Sequence, residues 1–178
     1  IPALKSLDKN DRVLYIGSLS KTLAPGLRLG YLVGPAELIK EARALRRLMV
    51  RHPAANNQRS VALFLERGYH DSLIMNITRN YQTRWRAMDE ALTKHLPESH
   101  NLPTFGGSCF WVEGPEGLDA DELRCRAREH SILIESGAVH FLQDEPPKNY
   151  FRLGYSSIST DRIEPGIAKL AELIREMS

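Results

Sequence analysis

The run Tyr15-Ile16-Gly17-Ser18-Leu19-Ser20-Lys21-Thr22-Leu23-Ala24-Pro25-Gly26-Leu27-Arg28-Leu29-Gly30-Tyr31 decides how this chain is read. One lysine stands at the end of an apolar segment. Hydroxyls lie one and three residues before it, and an arginine seven residues after it, between Pro-Gly and Gly. A lysine amine condenses with an aldehyde to give an imine. Hydroxyls and a guanidinium suit a phosphate dianion, which accepts charge-assisted hydrogen bonds. The set has the chemistry to hold an aldehyde cofactor with a phosphate tail. The ordinary alternative for Lys21 is a solvated surface residue; its neighbours favour the cofactor role.

Outward from this run, residues 13–17 form a short apolar stretch expected to be a buried strand, with Lys21 on the turn that leaves it. Residues 29–33 read as a second strand closed by Gly34-Pro35, and residues 36–50 as a helix with Leu38, Ala42, Leu45 and Met49 at helical spacing. Residues 60–67 read as helical, with Gly68 as C-cap. The strongest periodicity is Leu73, Ile77, Tyr81, Trp85, Met88, Leu92 and Leu96, one apolar face of a long helix that Pro97 closes. Beyond it, residues 105–112, 132–135, 139–142 and 150–155 read as strands, and residues 120–130 and 164–177 as helices, the first capped by Asp119. The expected architecture is α/β: residues 1–96 belong to a larger domain ending in the long helix, and residues 97–178 form a small α+β domain.

The 178 residues suffice for a real core and are 42% apolar and 26% charged, as in ordinary globular domains. A net charge of +2 is neutral on nucleic-acid binding. Two cysteines, Cys109 and Cys125, exclude a disulfide scaffold and suit a reducing cytoplasmic compartment. No stretch reaches the roughly 20 apolar residues of a membrane span. The six histidines, among them His70, His95, His100 and His140, have no metal-ligand spacing. The chain opens on Ile1 rather than methionine, which implies a piece of something longer.

The lysine run resembles the pyridoxal-phosphate (PLP) motif of fold-type-I aminotransferases, S-x-S-K-x-x-x-P-G-x-R-x-G, with seven typed positions in order. Tyr150-Phe151-Arg152-Leu153-Gly154-Tyr155-Ser156 resembles the family's strand that carries the substrate-carboxylate arginine, and Gly106-Gly107-Ser108-Cys109-Phe110-Trp111 resembles a strand of its small domain. The resemblance implies PLP as a Schiff base on Lys21, a phosphate held by Ser18, Ser20 and Arg28, and a ligand carboxylate gripped by Arg152. It covers only the C-terminal part of a family member. An aspartate for the pyridine nitrogen, a stacking ring and the partners of the phenolic oxygen would come from upstream. Asp8 and Asp11 read as ordinary loop acids.

Two subfamilies share the spelling around Lys21. One holds aminoadipate-type and aromatic aminotransferases. The other holds MocR-type regulators of the GntR family, in which a winged helix-turn-helix that binds DNA precedes an aminotransferase-like effector domain. The tail Arg152-Leu153-Gly154-Tyr155-Ser156-Ser157-Ile158-Ser159, residues 2–8 and Asn56-Asn57-Gln58-Arg59 favour the regulator. An amino-acid or amine ligand and a homodimer are then expected, with residues 54–58 as a loop near the partner's cofactor. A catalytic aminotransferase is the alternative, and a truncated fragment that binds no cofactor is the third. Arg43, Arg46, Arg47, Arg51 and His52 read as a solvated helix face rather than a nucleic-acid patch. Glu113 and Glu135 follow apolar runs without an identifiable partner, and Cys109 reads as core packing.

Overall fold

The computed structural model describes residues 2–99 and 106–177. They fall into two compact units, one up to Asn76 and one from Ile77 on. The first contains α1 (Leu4–Leu7), β1 (Tyr15–Ser18), β2 (Gly30–Val33), α2 (Ala36–Met49), α3 (Ala55–Glu66) and the start of α4 (Tyr69–His95). The second contains the rest of α4, β3 (Cys109–Glu113), α5 (Ala120–Glu129), β4 (Glu135–Ser136), β5 (Tyr150–Gly154) and α6 (Ile163–Met177). The unit boundary falls inside α4, and the larger part of that helix, from Ile77 on, groups with the second unit. Among the described residues no helix is long and apolar enough to cross a membrane.

In the first unit β1 and β2 pair antiparallel, from Tyr15 opposite Val33 to Ser18 opposite Gly30. Residue 30 has to be glycine, because a Cβ there would sit 2.8 Å from the carbonyl oxygen of Gly17. The Tyr31 ring lies over Gly17 and meets Tyr15 at 5.9 Å between centroids. The expected burial of β1 is not found: Ile16 is 79% exposed. A continuous apolar run signals a strand covered on both faces, and the described residues supply β1 with one edge partner and no covering layer.

Asp8 is more than a loop acid. Its Oδ1 accepts the backbone N–H groups of Asn10 and Arg12 at 3.1 Å. Its Oδ2 accepts those of Val13 and the Lys5 ammonium, each at 2.9 Å. The turn into β1 is thus built around one carboxylate. α1 is too short to carry a periodic signal. α3 begins at Ala55, earlier than expected, because the asparagines of its first turn are poor helix formers that mask the start. Residues 55–58 are therefore helix, not loop.

The second unit holds nearly all of the core. Its sheet has the order β3-β5-β4, antiparallel throughout, with Trp111 and Glu135 both in register with Arg152. Phe110, Val112, Phe151 and Leu153 alternate inward and pack with Leu92 of α4, Leu123 of α5 and Ile167, Leu170 and Ile174 of α6. Rings continue the packing: Trp85 stacks on Phe110 at 5.8 Å, and Phe110 and Tyr81 meet Tyr155 edge-on at 5.7 and 6.0 Å. The Tyr155 hydroxyl donates to the Gly107 carbonyl at 2.9 Å. Asp119 caps α5 as expected, accepting from the N–H groups of Asp121 and Glu122.

Three strand expectations shift. The strand expected from Phe105 begins at Cys109, since Gly106 and Gly107 hold φ of 106° and 87°, outside the range a strand allows. Phe105 itself, like His100, lies outside the described residues. Residues 132–135 yield only the two-residue β4. Residues 138–140 form a 3₁₀ turn, and Val139 and Leu142 stand exposed, so their apolar character misled the reading of 139–142.

Two outcomes follow from the packing and the Asp8 turn. Phe151 is fully buried, so Phe151→Ala should cost about 3–5 kcal/mol in denaturant unfolding, while Leu48→Ala, at an 84% exposed position, should stay within about 0.5 kcal/mol. The hydrogen bond from Lys5, then that from Val13, holds the Asp8 carboxyl well below the usual carboxylate range. A carboxyl that ionises more readily when folded contributes stability above its unfolded pKa and loses it as pH falls through the folded one. The Asp8 carboxyl carbon should therefore keep its ionised NMR shift at about pH 3, below the ordinary aspartate value; titration near that ordinary value would contradict the four-bond arrangement.

Candidate functional site

Ser18 ends β1, and Ser20 and Lys21 begin the turn after it. The Ser20 N–H donates to Ser18 Oγ at 3.3 Å, which leaves the Ser18 hydroxyl proton free for an outside acceptor. The turn is closed by Leu23 N–H on the Leu19 carbonyl at 2.9 Å and Leu19 N–H on the Leu29 carbonyl at 3.0 Å. Residues Pro25–Leu27 form a 3₁₀ turn that delivers Arg28. Lys21 and Arg28 are both exposed, and among the described residues neither has an ion-pair or hydrogen-bond partner.

Arg28 is also strained. Its backbone is left-handed, with φ 50° and ψ 40°. That conformation costs a non-glycine residue roughly 1–2 kcal/mol. It is imposed from both sides, by the 3₁₀ turn and by Asn57, whose amide donates to the Leu27 carbonyl at 3.2 Å. Glycine would relieve the strain, yet this chain carries a guanidinium there.

Thr22 adds a feature that the sequence reading missed. Its Oγ1 is enclosed and has no hydrogen-bond partner among the described residues. An orphaned buried hydroxyl costs about 1–3 kcal/mol. The only sequence sign was a third hydroxyl in the run. The Ser18 and Ser20 hydroxyls, one amine and one guanidinium, with no acid paired to either cation among the described residues, fit an aldehyde bearing a phosphate. Ser18, Ser20, Lys21 and Arg28 thus share one loop of the first unit.

Arg152 belongs to the second unit, on the central strand β5. Its Nη1 donates to Glu135 Oε2, its register partner across β4. Hydrogen bonding with Cys109, then with Glu135, pushes the guanidinium pKa above even the ordinary arginine value. Glu135 has the partner that the sequence did not disclose. Its other oxygen lies 3.9 Å from Nε2 of His140, whose ring meets Trp111 edge-on at 5.4 Å. Arg152, Glu135, Ser108 and Ser156 line a pocket of about 260 Å³. The basic cluster of α2 is exposed, on a helix that buries none of its residues.

The strain at residue 28 can be separated from its charge. Arg28→Gly should be more stable than Arg28→Ala by about 0.5–1 kcal/mol, the relief of left-handed strain less the added chain entropy of glycine. Denaturant midpoints of the two variants measure the difference, and an Ala variant as stable as the Gly variant would mean the backbone is not strained there.

Comparison with known proteins fits this geometry. The family model described as Aminotransferase class I and II matches residues 2–170. The chain is 42% identical over 174 residues to the HTH-type transcriptional regulator TauR of Rhodobacter capsulatus, covering 98% of this chain and 36% of that protein. It is 30% identical over 165 residues to the 2-aminoadipate transaminase of Thermus thermophilus, covering 92% of this chain and 41% of that enzyme. The crystal structure of the multiple substrate aminotransferase of Thermococcus profundus matches with a TM-score of 0.90 at 31% identity, over 99% of this chain and 44% of that one. The chain spans less than half the length of each relative. Its mixed helix-and-sheet architecture is part of the aminotransferase α/β fold, and the chain belongs to the class I and II aminotransferase family.

Proposed function

We propose that this chain is part of the PLP-binding, aminotransferase-like effector domain of a MocR/GntR-type transcriptional regulator. The observation that carries the cofactor reading is the unpartnered pair of cations, Lys21 and Arg28, on one hydroxyl-rich turn. The regulator reading is supported by the greater identity to a helix-turn-helix regulator, 42%, than to a transaminase, 30%.

Bound PLP supplies an aldehyde for covalent attachment and a conjugated ring that stabilises negative charge at a ligand's Cα. The Ser18 and Ser20 hydroxyls would donate to the phosphate, and the planar fork of Arg28 would neutralise it. The Lys21 amine would be the point of attachment and, as a neutral amine, would be the group to hold a proton near the ligand's Cα. Arg152 receives the carboxylate of an amino-acid ligand. Such a domain needs only to bind cofactor and ligand and to bias a two-state equilibrium. A winged helix-turn-helix elsewhere in the longer protein reads that bias on DNA, in a homodimer in the cytoplasm. The second reading, a catalytic aminotransferase, draws on the likeness to the Thermus enzyme and to the Thermococcus structure.

The test uses the longer protein that carries this chain, incubated with PLP, reduced with borohydride and mapped by peptide mass. One cofactor mass on Lys21 is expected, and mass on another lysine would rule the reading out. Arg28→Ala should weaken PLP binding about 10- to 100-fold, the worth of a hydrogen-bonded charge. An absorbance change with amino acids, without turnover when a 2-oxo acid is added, favours the regulator; sustained turnover favours the enzyme. Residues 1–178 alone should retain PLP weakly, since the other ring contacts that the family resemblance implies lie outside this chain.

A further inference from the structure

Arg152 presents a fork suited to a carboxylate, and one nitrogen of it already donates to a carboxylate of the same chain, beside the Cys109 side chain. Glu135 is brought there by strand register, one residue directly across from the other, so the sheet holds the carboxylate within reach of the guanidinium. Both side chains remain partly exposed, at 39% and 49%. Ion pairs so exposed are weak and exchange readily. The pocket beside them is lined by Ser108 and Ser156 among others, and Arg152 is its cation. A carboxylate leaving Arg152 stays within reach of His140 on its other side, at 3.9 Å in the present arrangement.

We infer that Glu135 is a specificity-determining residue that occupies Arg152 in place of a ligand carboxylate, so that an anionic ligand binds only by displacing it. The inference rests on the reading of Arg152 as the ligand's carboxylate anchor. Glu135 then sets a threshold: a ligand must out-compete a tethered carboxylate that is always present at high local concentration. Free carboxylates bind a few-fold more weakly than they would without Glu135, and a ligand held at a second point is favoured over them. The weakness of the exposed pair keeps the threshold low enough to be crossed.

The experiment compares the longer protein with its Glu135→Gln and Glu135→Ala variants, using phenylglyoxal to modify arginine and propionate as the carboxylate probe, with chloride holding ionic strength constant. Modification of Arg152 is followed by peptide mass. In both variants Arg152 should react faster than in the parent when propionate is absent. The propionate concentration giving half-protection should fall about two- to fivefold, the range set by the strength of partly exposed ion pairs. An unchanged or higher half-protecting concentration in both variants would overturn the inference and leave the proposed function standing. If propionate protects Arg152 in none of the three proteins, the anchor role of Arg152 fails and this inference with it. Labelling of Lys21 reports separately on the cofactor.

Discussion

The pairing of Ser18 with Gly30 governs everything proposed for the first unit. Four antiparallel pairs bring the two ends of the Lys21 loop together, and the Leu19–Leu29 hydrogen bond extends the closure by one step. The absence of a side chain at residue 30 lets the two backbones approach this closely. Lys21 and Arg28 then leave from opposite arms of one closed loop instead of from two independent segments. The left-handed backbone at Arg28 is a consequence of that closure, since the chain must turn sharply out of the 3₁₀ segment to re-enter the ribbon. Strain of this kind persists where surrounding structure over-determines it.

The cations of the molecule divide by the company they keep. Lys5 is spent on Asp8, Lys94 on Glu164 and Lys169 on Glu172. Only the Lys94–Glu164 pair joins two helices, the other two being local, and the acid in each is depressed by its lysine before any other cause. Lys21 and Arg28 have no such acid among the described residues. Arg152 is intermediate, held by an acid that the sheet register supplies but that solvent reaches. The exposed arginines of α2 are equally without an acid among the described residues, so it is the hydroxyl-rich turn around Lys21 and Arg28 that sets these two apart.

Legibility in the sequence followed the range of the interaction. The helices α4, α5 and α6 were readable because their period repeats over several turns, and the Asp119 cap because its bonds reach only two or three residues ahead. The Lys21 run was readable as a local motif. The Asp8 turn is equally local, yet invisible, because an acid among Lys, Asn and Arg reads as ordinary loop polarity. Residues 139–142 failed for the opposite reason: Val139 and Leu142 are apolar but face outward. The contact of Glu135 with Arg152 depends on which residues of two separated strands lie opposite each other, and no local pattern encodes register. The orphaned Thr22 hydroxyl could not be seen either, since enclosure is a property of packing.

The ribbon of β1 and β2 also bears on how the polypeptide behaves in bulk. Among the described residues each strand has one hydrogen-bonded neighbour, and Leu14, Ile16, Tyr31, Leu32 and Val33 are exposed on or beside the two strands. Bare strand edges flanked by such side chains are templates for intermolecular pairing. The turn that carries Lys21 therefore joins two strands whose outer edges are open among the described residues, and whatever covers those edges also bears on the arms of that turn.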